Sequence, residues 1–134
     1  CMFKYIFSLT SIFLSTQAFS NCIVYVPEHE FVYAGVGITF DFKSILDPHN
    51  YIETSNAQEA DRILKIIGNE HQGKYFEYAD AELAFVSKND KLLLSTSYSK
   101  RCYSQHCAIS DYKNAFTKVY KAMQSALSPC KESN

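Results

Sequence analysis

Four cysteines, Cys22, Cys102, Cys107 and Cys130, hold the most reactive chemistry in this chain. An even set in a small exported domain forms disulfides, with three possible connectivities. Spacing favours Cys102–Cys107, which closes a local loop of Tyr103, Ser104, Gln105 and His106. It pairs this bond with Cys22–Cys130, which ties the first ordered residues to the end of the last helix. Crossed pairings would require the 102–107 segment to reach both ends of the fold. Zinc would need four ligands, and Cys102, His106 and Cys107 supply three, with His29, His49 and His71 scattered elsewhere. No Cys-x-x-Cys redox motif occurs. The expectation is two disulfides, no metal and no cofactor; Cys1, ahead of Met2, has no place in this scheme.

Other reactive residue types lack a motif. Glu28-His29-Glu30 sets a titratable imidazole between carboxylates, but on an extended chain the two Glu share a face and His29 opposes them, as in a surface loop. Asp80 and Glu82 stand about 7 Å apart on one strand face, the default of an exposed alternating strand. There is no Gly-x-Ser-x-Gly, no P-loop and no dinucleotide fingerprint. No residue is therefore assigned a catalytic role.

The charge and the aromatic load point instead to recognition. Residues 21–87 hold eleven acids against four bases, and residues 88–134 hold eight bases against three acids. If the fold keeps these halves apart, the protein has an acidic and a basic face suited to steering a protein partner. Ten Tyr and ten Phe occur without Trp, and Tyr75, Phe76 and Tyr78 cluster with Glu77, Asp80 and Glu82. Aromatics beside charge suit recognition surfaces. The candidate partner-binding residues are Tyr78, Asp80 and Glu82 on a strand, and Lys113, Lys118 and Lys121 on a helix. A formal net charge of −1 argues against a dominant nucleic-acid role.

These residues need elements to position them. Ile23 to Val26 is a short β-prone run ended by Pro27. Phe31 to Phe42 reads as a strand, with Val32, Ala34, Val36, Ile38, Phe40 and Phe42 on one parity, although residues 38–47 fit a strand or a short helix stopped by Asp47-Pro48 equally well. Strands over 62–67, 75–86 and 91–98, separated by Gly68-Asn69, Gln72-Gly73-Lys74 and Lys88-Asn89-Asp90, make an antiparallel meander. Tyr112, Ala115, Phe116, Val119, Ala122, Met123, Ala126 and Leu127 recur at helical spacing over 111–127, with Ser110 or Asp111 as cap and Ser128-Pro129 as stop. So wide an apolar stripe must cover a sheet face. The fold class is α+β: an antiparallel sheet packed by a C-terminal amphipathic helix and stabilised by disulfides.

The 134 residues, 47% hydrophobic and 20% charged, have globular composition. Residues 1–20 read as a signal peptide: Lys4, an apolar stretch from Tyr5 to Leu14, and the small-residue pattern Ala18-Phe19-Ser20. The stretch is short of the ~20 residues a bilayer span needs, so no stable membrane insertion is expected after cleavage. Residues 21–134 form one domain. The expected location is periplasmic or secreted. The function expected is binding of a protein partner, as in immunity-like inhibition of an enzyme or toxin in the periplasm. The alternatives are a structural or assembly accessory of the cell envelope, and a small hydrolase with an unrecognised site. Oligomeric state is left open.

Overall fold

The computed structural model describes residues 22–130; the signal-peptide reading of residues 1–20 lies outside them. In chain order the elements are β1 (Ile23–Tyr25), β2 (Glu30–Tyr33), β3 (Val36–Thr39), α1 (Lys43–Leu46), β4 (Ile52–Thr54), β5 (Arg62–Gln72), β6 (Glu77–Ser87), β7 (Leu92–Arg101) and α2 (Ile109–Ala126). β5, β6 and β7 form the expected antiparallel meander, and α2 packs on it. β1 and β4 extend the sheet in the order β4-β1-β5-β6-β7, with β1 parallel to both neighbours.

β5 and β7 run longer than their sequence signals suggested, and β6 begins two residues later than expected, at Glu77. Gly68-Asn69 is not a turn: Gly68 pairs with Ala81 inside the ladder. Its missing side chain makes room for the Phe31 ring, since a Cβ there would lie 2.2 Å from Phe31 Cε2. β5 therefore continues to Gln72, and the chain reverses over residues 73–76, where Gly73 N–H donates to the Phe76 carbonyl at 2.7 Å. This moves Tyr75 and Phe76 out of the strand and into the turn.

The Phe31–Phe42 segment is likewise not one strand. Ala34 and Gly35 both have positive φ (54° and 80°), so the chain folds back as a tight hairpin. The hairpin turns Val32 and Val36 outward and packs Phe31 and Tyr33 inward: Phe31 lies 5.1 Å from Tyr112 and 4.8 Å from Phe116, and Tyr33 lies 4.6 Å from Tyr112, ring to ring. The helical alternative for residues 38–47 holds at Lys43–Leu46. Pro48 does not stop it but enters a following 3-10 turn, which ends at Asn50 in the left-handed region.

α2 starts two residues earlier than expected, at Ile109. Ala108 is the N-cap, and Asp111 acts from inside the first turn by accepting the Ala108 N–H at 2.8 Å; Ser110 does not cap. One sheet face and this second layer enclose the core: Val24, Leu64, Ala81, Leu83 and Phe85 against Tyr112, Phe116, Val119, Met123, Phe42 and Leu46. Both expected disulfides are present, Cys22–Cys130 and Cys102–Cys107. No helix among the described residues is long and apolar enough to cross a membrane. The disulfides fit an exported protein.

Candidate functional site

Two structural constraints meet at one end of the sheet. The β5–β6 turn and the disulfide loop after β7 lie side by side around a cleft of about 580 Å3. Tyr75 and Tyr103 leave 76% and 77% of their surface exposed at its rim, and Phe76 leaves 39%. Rings this exposed gain nothing from the core, so their placement depends on the backbone that holds them.

That backbone is anchored at both ends of the loop. Cys102 N–H donates to the Glu77 carbonyl at 2.8 Å, which continues the β6–β7 pairing by one residue. Cys107 N–H donates to Glu70 Oε1 at 2.7 Å. The buried disulfide closes the base between these anchors. The loop thus presents Tyr103 from a short, crosslinked span.

Cations stack on the exposed rings. The Arg101 guanidinium lies 4.6 Å from the Phe76 centroid and 5.0 Å from that of Tyr103, and its Nη2 donates to the Tyr103 hydroxyl at 3.1 Å. Lys100 Nζ sits 5.0 Å from the Tyr103 ring and Lys74 Nζ 5.3 Å from Tyr75. The Arg101 hydrogen bond, then its charge and that of Lys100, lower the Tyr103 pKa below the usual phenol value. Beneath the loop, Glu70 and Glu77 project from adjacent strands. Removal from water, a hydrogen bond to Glu70 and the Glu70 charge push the Glu77 pKa up, against His106, which lowers it.

The structure divides the sequence-predicted residues between two faces. Tyr78, Asp80 and Glu82 lie together on the sheet face opposite α2. Asp80 bridges His71 Nδ1 and Ser99 Oγ, each at 2.5 Å, Ser95 Oγ donates to Glu82, and Tyr78 stacks on His71 at 4.9 Å. In this ladder the carboxylate stands between serine and imidazole, so His71 does not reach Ser99 as a base would. Lys113, Lys118 and Lys121 lie on the solvent side of α2, in the other layer; Lys118 donates to the Tyr98 hydroxyl at 2.8 Å and sits over its ring. The two candidate groups therefore form no single site.

His29, the two loop cysteines and His106 are engaged locally. His29 pairs with Glu53 at 2.6 Å, not with its neighbours Glu28 and Glu30. Cys102 and Cys107 approach Asp111, and Cys107 approaches Glu70 and Glu77, closely enough to suggest a metal cluster, but both sulfurs are in the disulfide and offer no thiolate. His106 Nδ1 lies 3.8 Å from Glu77 Oε2.

Tyr103 and Arg101 were not among the sequence candidates. Their signal was the five-residue cysteine spacing: so short a crosslink forces its contents outward. Fold and site together define a small disulfide-bonded α+β chain with an exposed aromatic and cationic tip. No family model matches it, and no curated protein does.

Proposed function

We propose that this is an exported, periplasmic protein that works by binding a protein partner through its tip, as an inhibitor of an enzyme or toxin in the same compartment would. The observation that carries the reading is the crosslinked display of Tyr103, beside Tyr75 and Phe76, with Arg101 stacked between rings. Tyr and Arg are the residue types that dominate binding hot spots. Presentation from a short crosslinked loop lowers the ordering cost of association. Tyr103→Ala and Tyr75→Ala should each weaken partner binding by about 2 kcal/mol or more, measured by calorimetry against the purified partner, with folding unchanged. Wild-type affinity in both variants would refute the reading.

A second reading, an assembly accessory of the envelope, is favoured by the free edge of β7. Among the described residues this ten-residue strand pairs only with β6, and an open edge of that length can accept another strand. Proline at Ser97 would block such pairing and leave tip binding intact.

A further inference from the structure

The solvent side of α2 is cationic without compensation. Ser110, Lys113, Asn114, Thr117, Lys118 and Lys121 surround a shallow depression of about 410 Å3 along it. From Ile109 to Ala126 the helix carries three lysines and one acid. That acid, Asp111, is engaged by the Ala108 N–H and by Lys100. Lys113 and Lys121 make no ion pair among the described residues. Lys118 rests on the Tyr98 ring at 4.2 Å and donates to its hydroxyl, which leaves its charge uncancelled. Lys113 to Lys121 covers about 12 Å of helix axis.

This stripe borders an apolar groove. Thr117 and Lys121 also line a cavity of about 300 Å3 shared with Ile38, Phe40 and Phe116. Tyr120 closes one side of it, its ring 6.1 Å from that of Phe40 and its hydroxyl donated to the Asp41 carbonyl. Asp41 is the carboxylate on the groove, and its Oδ1 accepts the Ser44 N–H at 3.4 Å.

Residue type discriminates between occupants. Lys is depleted from protein–protein interfaces, where Tyr and Arg carry the energy. The tip has those types, whereas this face has Lys with Ser, Thr and Asn. Adsorption to an anionic bilayer needs only uncompensated cations on one side, each contributing about fivefold to partition, beside apolar surface for the headgroup–acyl boundary. A second copy of the chain is disfavoured, because it would bring two like-charged stripes together.

We propose that the α2 face docks this protein reversibly on an anionic phospholipid surface. Lys113, Lys118 and Lys121 meet the phosphates, and the groove beside Phe40 lies at the edge of the acyl layer. This surface is separate from the tip and does not depend on what the tip binds.

The test uses the oxidised protein and vesicles of phosphatidylcholine, alone or with about 30% phosphatidylglycerol, followed by cosedimentation. Binding at about 0.1 M salt should require phosphatidylglycerol, and it should disappear at about 1 M, where the screening length falls to about 3 Å. Lys113→Gln/Lys121→Gln should weaken partition about 25-fold, and adding Lys118→Gln about fivefold more. Lys88→Gln/Lys91→Gln, in the β6–β7 turn, removes the same charge as the first pair and should leave partition within about twofold. Vesicles with a nitroxide on the headgroup should broaden the amide signals of Ile38, Lys113, Thr117 and Lys121 and spare those of Asp80 and Glu82. No binding to either vesicle, equal binding to both, equal losses from the two double variants, or broadening centred on Phe76 and Tyr103 would overturn the proposal. So would capped tetraglutamate shifting the α2 amides while vesicles leave them unchanged, which would make the occupant an acidic protein segment.

Discussion

The two disulfides should differ sharply in what they stabilise. Cys22–Cys130 closes a separation of 108 residues, and Cys102–Cys107 one of 5. Loop-closure entropy then gives about 4.7 kcal/mol for the long bond and about 2 kcal/mol for the short one. Domains of this size have about 5–15 kcal/mol in total, so the Cys22→Ala/Cys130→Ala variant loses a large fraction of its stability. The Cys102→Ala/Cys107→Ala variant should remain folded, because the Cys102 N–H to Glu77 and Cys107 N–H to Glu70 bonds still anchor the loop ends. Urea unfolding followed by near- and far-UV circular dichroism measures both, with the long-bond variant lower by about 2.5 kcal/mol. Equal losses, or a larger loss from the short bond, would refute the loop-length reasoning. The short-bond variant should also lose partner affinity out of proportion to its stability, since the loop carrying Tyr103 is then fixed only by the hydrogen bonds at its ends and no longer by the crosslink.

Three other outcomes test the packing and its electrostatics. Phe116→Ala, at a fully buried position in contact with Phe31 and Phe40, should cost about 3–5 kcal/mol in urea unfolding. Gly68→Ala drives a methyl into the Phe31 ring; it should cost about 1–3 kcal/mol and increase amide exchange in the β2–β3 hairpin while α2 stays protected. Burial, with Glu70 as the largest charge contribution, pushes the Tyr112 pKa up to about 12 from an ordinary 10. Its contribution to stability is therefore full below pH 10 and is lost as pH rises toward 12. Tyr112→Phe should flatten that alkaline decline in urea midpoints, and an unchanged decline would assign it elsewhere.

The parts of the fold that were legible in the sequence are those whose periodicity and packing agree. In α2, Tyr112, Phe116, Val119 and Met123 are spaced for one face and all are buried there. In β6, Ala79, Ala81, Leu83 and Phe85 alternate as the core requires. The β1 and β4 strands are three residues each, too short to show a period, and their parallel pairing is set by tertiary contacts. At Gly68-Asn69 a local turn signal gave way to a ladder in which glycine is needed for Phe31. Tyr75 and Phe76 have strand propensity, yet the ladder ends at Gln72, so the turn takes them. The candidate site was obscured for that reason: residues that look like core by type become surface through where the hairpin reverses. The charge halves were legible as a sequence asymmetry, but Asp80 and Glu82 are engaged by His71, Ser99 and Ser95 across the sheet and present little free charge.

The most direct test of the central claim is site-specific photo-crosslinking in the native compartment. A benzoylphenylalanine is placed in turn at Tyr103 in the loop, at Ser97 on the β7 edge and at Lys118 on α2. Binding through the tip predicts one discrete protein adduct from position 103, absent from positions 97 and 118 and lost in the Cys102→Ala/Cys107→Ala background. The same adduct from position 97 or 118 with none from 103 would contradict it.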